Sequence, residues 1–166
     1  MTARDGDSSW VEVRVDPETW AVEVGRLREG SPARLAAERE RKTLQQRGVP
    51  RDALLACRTV GDDGTRLGRE FKVYVPITGA PASQRPFAFV FSIASADGRP
   101  YLALTAFGER HPAHGTRSVY ERAHKRLHGR YPDQERALSQ APSRTPRTRT
   151  PSLGLRRAQE RGGLER

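Results

Sequence analysis

Three apolar segments, joined by short connections, constrain the fold more than any other feature of the sequence. They are EFKVYVPI, PFAFVFSIA and YLALTAF, at residues 70–77, 86–94 and 101–107. The first alternates, which places Lys72 and Tyr74 on one face and the apolar side chains between them on the other, and the second is the apolar run of a central strand. Parallel neighbours require crossovers of about a dozen residues or more, and these connections are shorter. The three segments and their short connections therefore predict an antiparallel sheet.

The N-terminal third predicts one strand and two helices. Residues 10–15, WVEVRV, alternate as a half-buried strand does. Asp-Pro at residues 16–17 and Ser-Pro at residues 31–32 are helix-start signals, because Asp and Ser cap helix N-termini and proline suits the first turn. They predict an αα-hairpin, and residues 53–60, ALLACRTV, predict a further strand.

A last helix is predicted in residues 117–131, RSVYERAHKRLHGRY. Val119, Ala123 and Leu127 recur every four residues, which predicts that they dock the helix on the sheet. Gly129 lies where a helix commonly ends.

These elements predict the α+β class: an N-terminal strand and αα-hairpin, an antiparallel sheet of about four strands, and a C-terminal helix. We expect one domain at residues 9–132. Residues 1–8 are polar, and residues 133–166 are rich in Arg and Pro without apolar periodicity. Both ends are therefore expected to be disordered, the second as a basic tail.

The charge balance predicts a polyanionic partner. The formal net charge is +10 and the sequence pI about 10.9, which favours RNA, DNA or an anionic surface. The alternative is an ordinary solvated surface. Residues 85–131 contain eight basic and three acidic side chains, a net +5. The charge is thus concentrated on the last two strands and their helix.

Cellular location and cofactors are constrained mainly by what the sequence lacks. No apolar run approaches the roughly eighteen residues of a membrane span, and the N-terminus has no signal-peptide core. Cys57 is the only cysteine, which rules out an intrachain disulfide. We expect a cytoplasmic protein with no membrane partner and no cofactor.

The connection GERHPAHGTR, residues 108–117, carries the side chains that suit phosphodiester chemistry. Arg110 offers paired donors to phosphate oxygens and stays charged. His111, and after it His114, are the candidates for proton transfer, since imidazole titrates near neutrality. The alternative is that both histidines are merely loop residues and that Arg110 pairs with a carboxylate.

Further basic side chains are candidates for substrate binding rather than chemistry. They are Lys72, Arg85, Arg117, Lys125 and Arg126. No metal site is expected: His124 and His128 have helical i, i+4 spacing but lack an intervening HExxH glutamate and a third ligand, and a turn explains the adjacent Asp62 and Asp63 better.

The element order, with LALTAFGER and SVYERAHKRL near residues 102–127, resembles the RelE/ParE toxin superfamily of small bacterial proteins. The RelE branch implies ribosome-assisted cleavage of messenger RNA, and the ParE branch implies inhibition of DNA gyrase. An acidic antitoxin is the partner that either branch implies.

The resemblance also implies roles for individual residues. Arg110 matches the arginine that steadies charge on the scissile phosphate, and Tyr120 matches the helix tyrosine placed near the 2′-hydroxyl. The alternative for Tyr120 is an aromatic residue that packs at the start of an amphipathic helix. Lys72 lies on the strand where the family has lysines. A further family arginine falls near Ala88 here, with Arg85 three residues earlier.

Three functions remain open from the sequence. The first is a metal-independent endoribonuclease of the RelE kind, which inhibits translation. The second is a non-catalytic module that binds nucleic acid through the same basic face. The third is a protein-interaction module, including gyrase binding in the ParE manner.

Overall fold

The computed structural model describes residues 9–81 and 84–141 and confirms the α+β class. The helices are α1 Pro17–Gly25, α2 Pro32–Arg47, α3 Val119–His128 and α4 Pro132–Gln140, with a 3₁₀ turn at Arg51–Ala53. The strands are β1 Trp10–Val11, β2 Val13–Arg14, β3 Val49–Pro50, β4 Leu55–Ala56, β5 Glu70–Val75, β6 Phe87–Ala96 and β7 Arg99–Glu109.

The main sheet has five strands in the order β2-β7-β6-β5-β4. Strands β4 to β7 pair antiparallel, as the short connections predicted, whereas β2 pairs parallel with β7. The tight β6–β7 turn uses Asp97 and Gly98, both with positive φ, as a two-residue hairpin turn requires.

Two predicted strands are shorter than the sequence pattern indicated. The segment 10–15 divides between two sheets, because β1 pairs with β3 while β2 joins β7. The segment 53–60 contributes only Leu55–Ala56. Beyond it the Cys57 N–H still donates to the Glu70 carbonyl at 2.9 Å, but the chain then turns away, and Val60 forms an isolated bridge with Arg66.

Both helices of the αα-hairpin start at the predicted caps. The side chain of Asp16 accepts from Thr19 N at 2.8 Å, and that of Ser31 accepts from Arg34 N at 3.3 Å. The hairpin covers one face of the sheet over a core that includes Phe89, Phe91, Phe107 and Val24. Each fully buried side chain of this size contributes about 1.5–3 kcal/mol relative to an exposed one.

Helix α3 covers the other face of the sheet. Val119 and Ala123 are fully buried against Ala88, Val90 and Ala106. The small side chains of the two sheet alanines leave room for the helix to approach.

The prediction for Leu127 is wrong: its side chain is 39% exposed. His124 is fully buried in the helix instead, on the side where α4 and the loop before β5 cover it.

The prediction that ordered structure ends at residue 132 is also wrong, because α4 spans Pro132–Gln140. The Arg117 guanidinium binds Asp133 of α4 through two hydrogen bonds of 3.0 Å. The rest of the predicted tail and the predicted disordered segment 1–8 lie outside the described residues. Within residues 9–81 and 84–141, none of the helices is long and apolar enough to cross a membrane.

Candidate functional site

An open cleft of about 940 Å³ lies on the α3 side of the sheet. Its walls are the loop before β5, strand β5 itself, the connection from β7 to α3, and the first turn of α3. Arg110, His111, His114, Lys72 and Tyr120 all line it. The structure thus brings together in one cleft the four predicted catalytic residues and one predicted binding lysine.

The centre of the site is a group of two cations and two phenols that we call the cation–tyrosine cluster: Lys72, Tyr74, Arg110 and Tyr120. Lys72 and Tyr74 are two residues apart on β5 and therefore point to the same face. Arg110 directly follows β7, where its N–H donates to the Pro86 carbonyl at 2.8 Å. Tyr120 lies in the first turn of α3, which a capping box of Ser118 and Glu121 fixes.

Three contacts hold the Arg110 guanidinium. Its Nε donates to the Tyr120 hydroxyl at 3.1 Å, its Nη1 donates to the Arg85 carbonyl at 3.1 Å, and its Cζ lies 4.2 Å from the centroid of the Tyr74 ring. Among the described residues its Nη2 has no hydrogen-bond partner and no carboxylate lies within 4.0 Å of it. The guanidinium is oriented by the fold but keeps donors for a ligand.

Lys72 places a second charge between the two phenol rings. Its Nζ lies 5.3 Å from the Tyr120 ring centroid and 5.7 Å from that of Tyr74. No carboxylate of residues 9–81 or 84–141 forms an ion pair with it. An ammonium held by aromatic rings rather than by an acid remains available to a phosphate.

The carboxylates that line the cleft are engaged elsewhere. Asp63 accepts from Thr65 N at 3.0 Å, and Asp62 lies 3.5 Å from the Arg58 guanidinium. Glu121 accepts from Ser118 N at 2.9 Å and pairs with Arg117 at 3.0 Å. The cation–tyrosine cluster therefore keeps its positive charge.

His111 and His114 are both exposed on the connection that leads to α3. They line the same cleft as Arg110, and no described side chain fixes either ring by a hydrogen bond. Their accessibility suits exchange of protons with solvent.

Two further predicted binding residues differ in position, since Arg117 lines the cleft and Lys125 lies outside it on α3. The two carboxylates that Arg117 binds, Asp133 and Glu121, raise the pKa of its guanidinium, so it stays charged, and the two ion pairs of 3.0 Å balance that charge. Lys125 is exposed and lies 4.7 Å from the Tyr131 ring centroid, and it does not line the cleft.

Arg126 is not part of the cleft. Its Nη2 donates to Glu23 of α1 at 2.9 Å, and Arg122 binds the same carboxylate at 3.0 Å. Glu23 is only 2% exposed, and it also accepts from Phe107 N at 3.2 Å, on the edge of β7 that β2 leaves unpaired. We call these four residues the Glu23 network. It fixes α3 to α1 and closes the sheet edge.

Arg85 stands beside the cluster, with its Cζ 5.5 Å from the Tyr74 ring centroid. Its φ of 37° is unusual for a residue with a side chain, and this backbone directs its carbonyl at Arg110. Ala88 is fully buried beneath α3, so no cation occupies that position.

Cys57 lines the cleft with its thiol buried. Burial raises the pKa of its thiol to about 11, although the charge of Lys72 opposes this shift. The thiol therefore stays protonated near neutrality, and a thiolate nucleophile has no support here.

The sequence reasoning missed Tyr74 as a site residue and Glu23 as a structural one. Tyr74 could have been found, because a residue two positions after Lys72 on a strand must share its face. No sequence pattern around Glu23 indicated its structural role.

In the described part of the chain, no group of three His, Cys, Asp or Glu side chains could hold a metal ion.

No protein-family model, no curated protein and no solved structure matches this chain.

Proposed function

We propose that the cleft binds single-stranded RNA and promotes its cleavage without a metal ion. The observation that carries the proposal is the Arg110 guanidinium, held against Tyr120 and Tyr74 with its Nη2 donors facing no carboxylate among the described residues. A planar, fixed cation of this kind matches the oxygens of a phosphodiester. The Tyr74 and Tyr120 rings beside it are half-buried and line the cleft, and an unstacked nucleotide, unlike a duplex, can place a base against such rings.

The reaction is attack by the 2′-hydroxyl on the adjacent phosphorus. The 2′-oxygen bonds to phosphorus, the bond from phosphorus to the 5′-oxygen breaks, and the products are a 2′,3′-cyclic phosphate and a free 5′-hydroxyl. One proton leaves the 2′-oxygen and one is delivered to the departing 5′-oxygen. His111 is the proposed acid/base group, with His114 second.

Charge stabilisation is the role of the cation–tyrosine cluster. Arg110 and Lys72 would stabilise the extra negative charge of the phosphorane. Because Arg110 Nε donates to the Tyr120 oxygen, the hydroxyl hydrogen of Tyr120 is directed elsewhere and can reach a bound 2′-oxygen or phosphate.

The biological setting of the proposal comes from the RelE/ParE resemblance. In it the protein is a bacterial toxin that acts in the cytoplasm on messenger RNA at the ribosome, and an acidic antitoxin neutralises it. The spatial proximity of Arg110 and Tyr120, the two residues matched to the family's motif, supports this assignment.

The decisive experiment incubates the purified protein with total RNA and intact ribosomes, with and without a chelator. We expect cleavage that survives the chelator, and a loss of about 10²–10³ in rate for Arg110→Ala. Arg99→Ala, an exposed arginine at the other end of β7, is the matched control and should cleave normally.

Each alternative function gives a different result. RNA that is bound in a salt-sensitive way but stays intact would indicate the non-catalytic module. Inhibition of gyrase without binding of RNA would indicate the protein-interaction module. Cleavage by Arg110→Ala at the normal rate would remove Arg110 from the mechanism.

A further inference from the structure

The fully buried His124 on α3 has a polar partner at each ring nitrogen. Its Nδ1 lies 3.0 Å from the main-chain nitrogen of Arg66, which belongs to the loop before β5. Its Nε2 lies 3.0 Å from the Glu135 carboxylate on α4. The ring is 0% exposed, so these two partners define its chemistry.

The two partners permit one neutral form of the ring. A main-chain N–H can only donate, so Nδ1 of His124 must be unprotonated to accept from Arg66. The single proton of the neutral ring is then on Nε2 and points at Glu135. A protonated Nδ1 would be a donor that faces the Arg66 N–H, which is also a donor, so this hydrogen bond would be lost.

The contact that the neighbouring His128 makes with Arg66 does not depend on a proton. Its Nε2 lies 3.1 Å from the Arg66 carbonyl, which can only accept. The ring therefore donates to Arg66 whether neutral or charged. Of the two histidine contacts to Arg66, only the one from His124 is lost on protonation.

We propose that His124 is a proton-sensitive clasp for residues 61–67, which form one wall of the cleft. In its neutral form the ring holds this loop to α3 through the Arg66 N–H. Protonation at Nδ1 removes that hydrogen bond and loosens the loop at the Arg66 amide, while the His128 contact to the Arg66 carbonyl and the Arg136 contact to the Asp63 carbonyl remain. The proposal concerns the wall of the cleft and holds whether or not the cleft cleaves RNA.

The surrounding charges decide how the clasp opens. Because Nε2 of His124 carries a proton in both the neutral and the charged ring, it donates to the Glu135 carboxylate in both, and α4 stays bound to α3 when the loop loosens. The titratable or charged groups on the elements packed around the ring are Glu135 and Arg136 of α4, His128 of α3, Asp63 and Arg66 of the loop, and Cys57 beside it.

The direction of the pH effect follows from proton linkage. The open loop lets Nδ1 take a proton that the closed loop excludes, so the closed state is favoured at high pH and lost as the pH falls. Because one proton is involved, the ratio of closed to open loop changes by at most about tenfold per pH unit.

The test measures hydrogen exchange of the Arg66 amide by NMR from about pH 8 to about pH 5, the range over which imidazoles titrate. We expect protection, corrected for intrinsic exchange, to fall by up to tenfold per pH unit, while amides of the β6–β7 hairpin keep theirs. Nitrogen shifts of the His124 ring at high pH should show a proton on Nε2 and none on Nδ1.

Variants separate His124 from its neighbours. His124→Asn keeps an acceptor near the Nδ1 position but cannot titrate there, so protection of Arg66 should no longer depend on pH. Glu135→Gln removes the other titratable group and His128→Gln the other ring, and both should retain a fall with acid.

Two results overturn the proposal and need no variant. The first is a proton on Nδ1 at high pH, and the second is an Arg66 protection that does not change relative to the hairpin amides. If the pH dependence of Arg66 protection disappeared in His128→Gln, His128 rather than His124 would be the residue that senses the proton. That result would also reject the proposal. If the protein does not cleave RNA, the results expected for Arg66 exchange and for the His124 ring nitrogens stay the same.

Discussion

Two groups of basic side chains lie on different sides of α3, and they differ in what balances their charge. In the Glu23 network, Arg122 and Arg126 share one buried carboxylate. In the cation–tyrosine cluster, Lys72 and Arg110 lie against phenol rings and no described carboxylate pairs with them. A buried acid turns arginines into structural cross-links, whereas an aromatic platform holds a cation and leaves its charge for a partner.

This comparison first predicts a large loss of stability in Glu23→Ala. Two arginines would lose their shared carboxylate and Phe107 N its acceptor, and breaking a buried ion pair costs about 3–5 kcal/mol. Urea unfolding of the two proteins measures the free energy of unfolding. Glu38→Ala breaks an exposed pair with Arg34 and should cost no more than about 0.5 kcal/mol. Equal losses in both variants would show that the network is not a special cross-link.

The second prediction is that Arg110→Ala and Arg126→Ala fail in different assays. Loss of Arg110 should lower RNA cleavage by about 10²–10³ with little change in the free energy of unfolding. Loss of Arg126 should lower the free energy of unfolding, because buried Glu23 loses one partner, while cleavage by the folded fraction stays normal. RNA cleavage rates and urea midpoints test both. If the two variants behave alike, the division between the two groups is wrong.

The third prediction concerns Lys72 and the salt dependence of binding. If its ammonium contacts one phosphate, Lys72→Ala should reduce the slope of log K against log salt concentration by about 1. Fluorescence anisotropy with a labelled single-stranded RNA gives this slope. The matched control is Lys42→Ala on α2, which lies on the other face of the sheet. This variant should have the same slope as the wild type.

The smallest predicted effect belongs to Arg117, whose charge is balanced by exposed acids. Arg117 lowers the pKa of Asp133, so the stabilisation from this pair is complete above the ordinary carboxylate pKa of about 3.9. It is lost as the pH falls through the lower pKa of the folded state. The melting-temperature difference between the wild type and Asp133→Asn should therefore be constant above about pH 5 and shrink in more acidic solution.

Asp52→Asn is the control for this prediction, because Asp52 has no cation within ion-pair distance in the described structure. Its melting-temperature difference from the wild type should not show the same decrease. If the melting-temperature difference for Asp133→Asn instead grew as the pH fell, the change would have the opposite sign. It would contradict the stabilising pair between Arg117 and Asp133.

Part of the site followed from local patterns and part did not. Alternation in β5 placed Lys72 on the face opposite Phe71 and Val73, and the strand-to-helix passage placed Arg110 near Tyr120. The roles of the other basic residues depended on partners distant in sequence. Glu23 and Arg126 are 103 residues apart, and no spacing rule connects them. Helix α4 was missed because its residues are mostly polar, and it is held by side-chain contacts to α3 and the preceding loop.

Local patterns were enough to predict the antiparallel core of the sheet, both helices of the αα-hairpin and the position of α3, since strand alternation, short connections and capping residues act over a few neighbours. The tertiary structure alone decided that β2 runs parallel to β7, that His124 rather than Leu127 is buried, and which cations are neutralised. These outcomes depend on distances between side chains far apart in the chain, and the energy of a charge is set by what surrounds it in space.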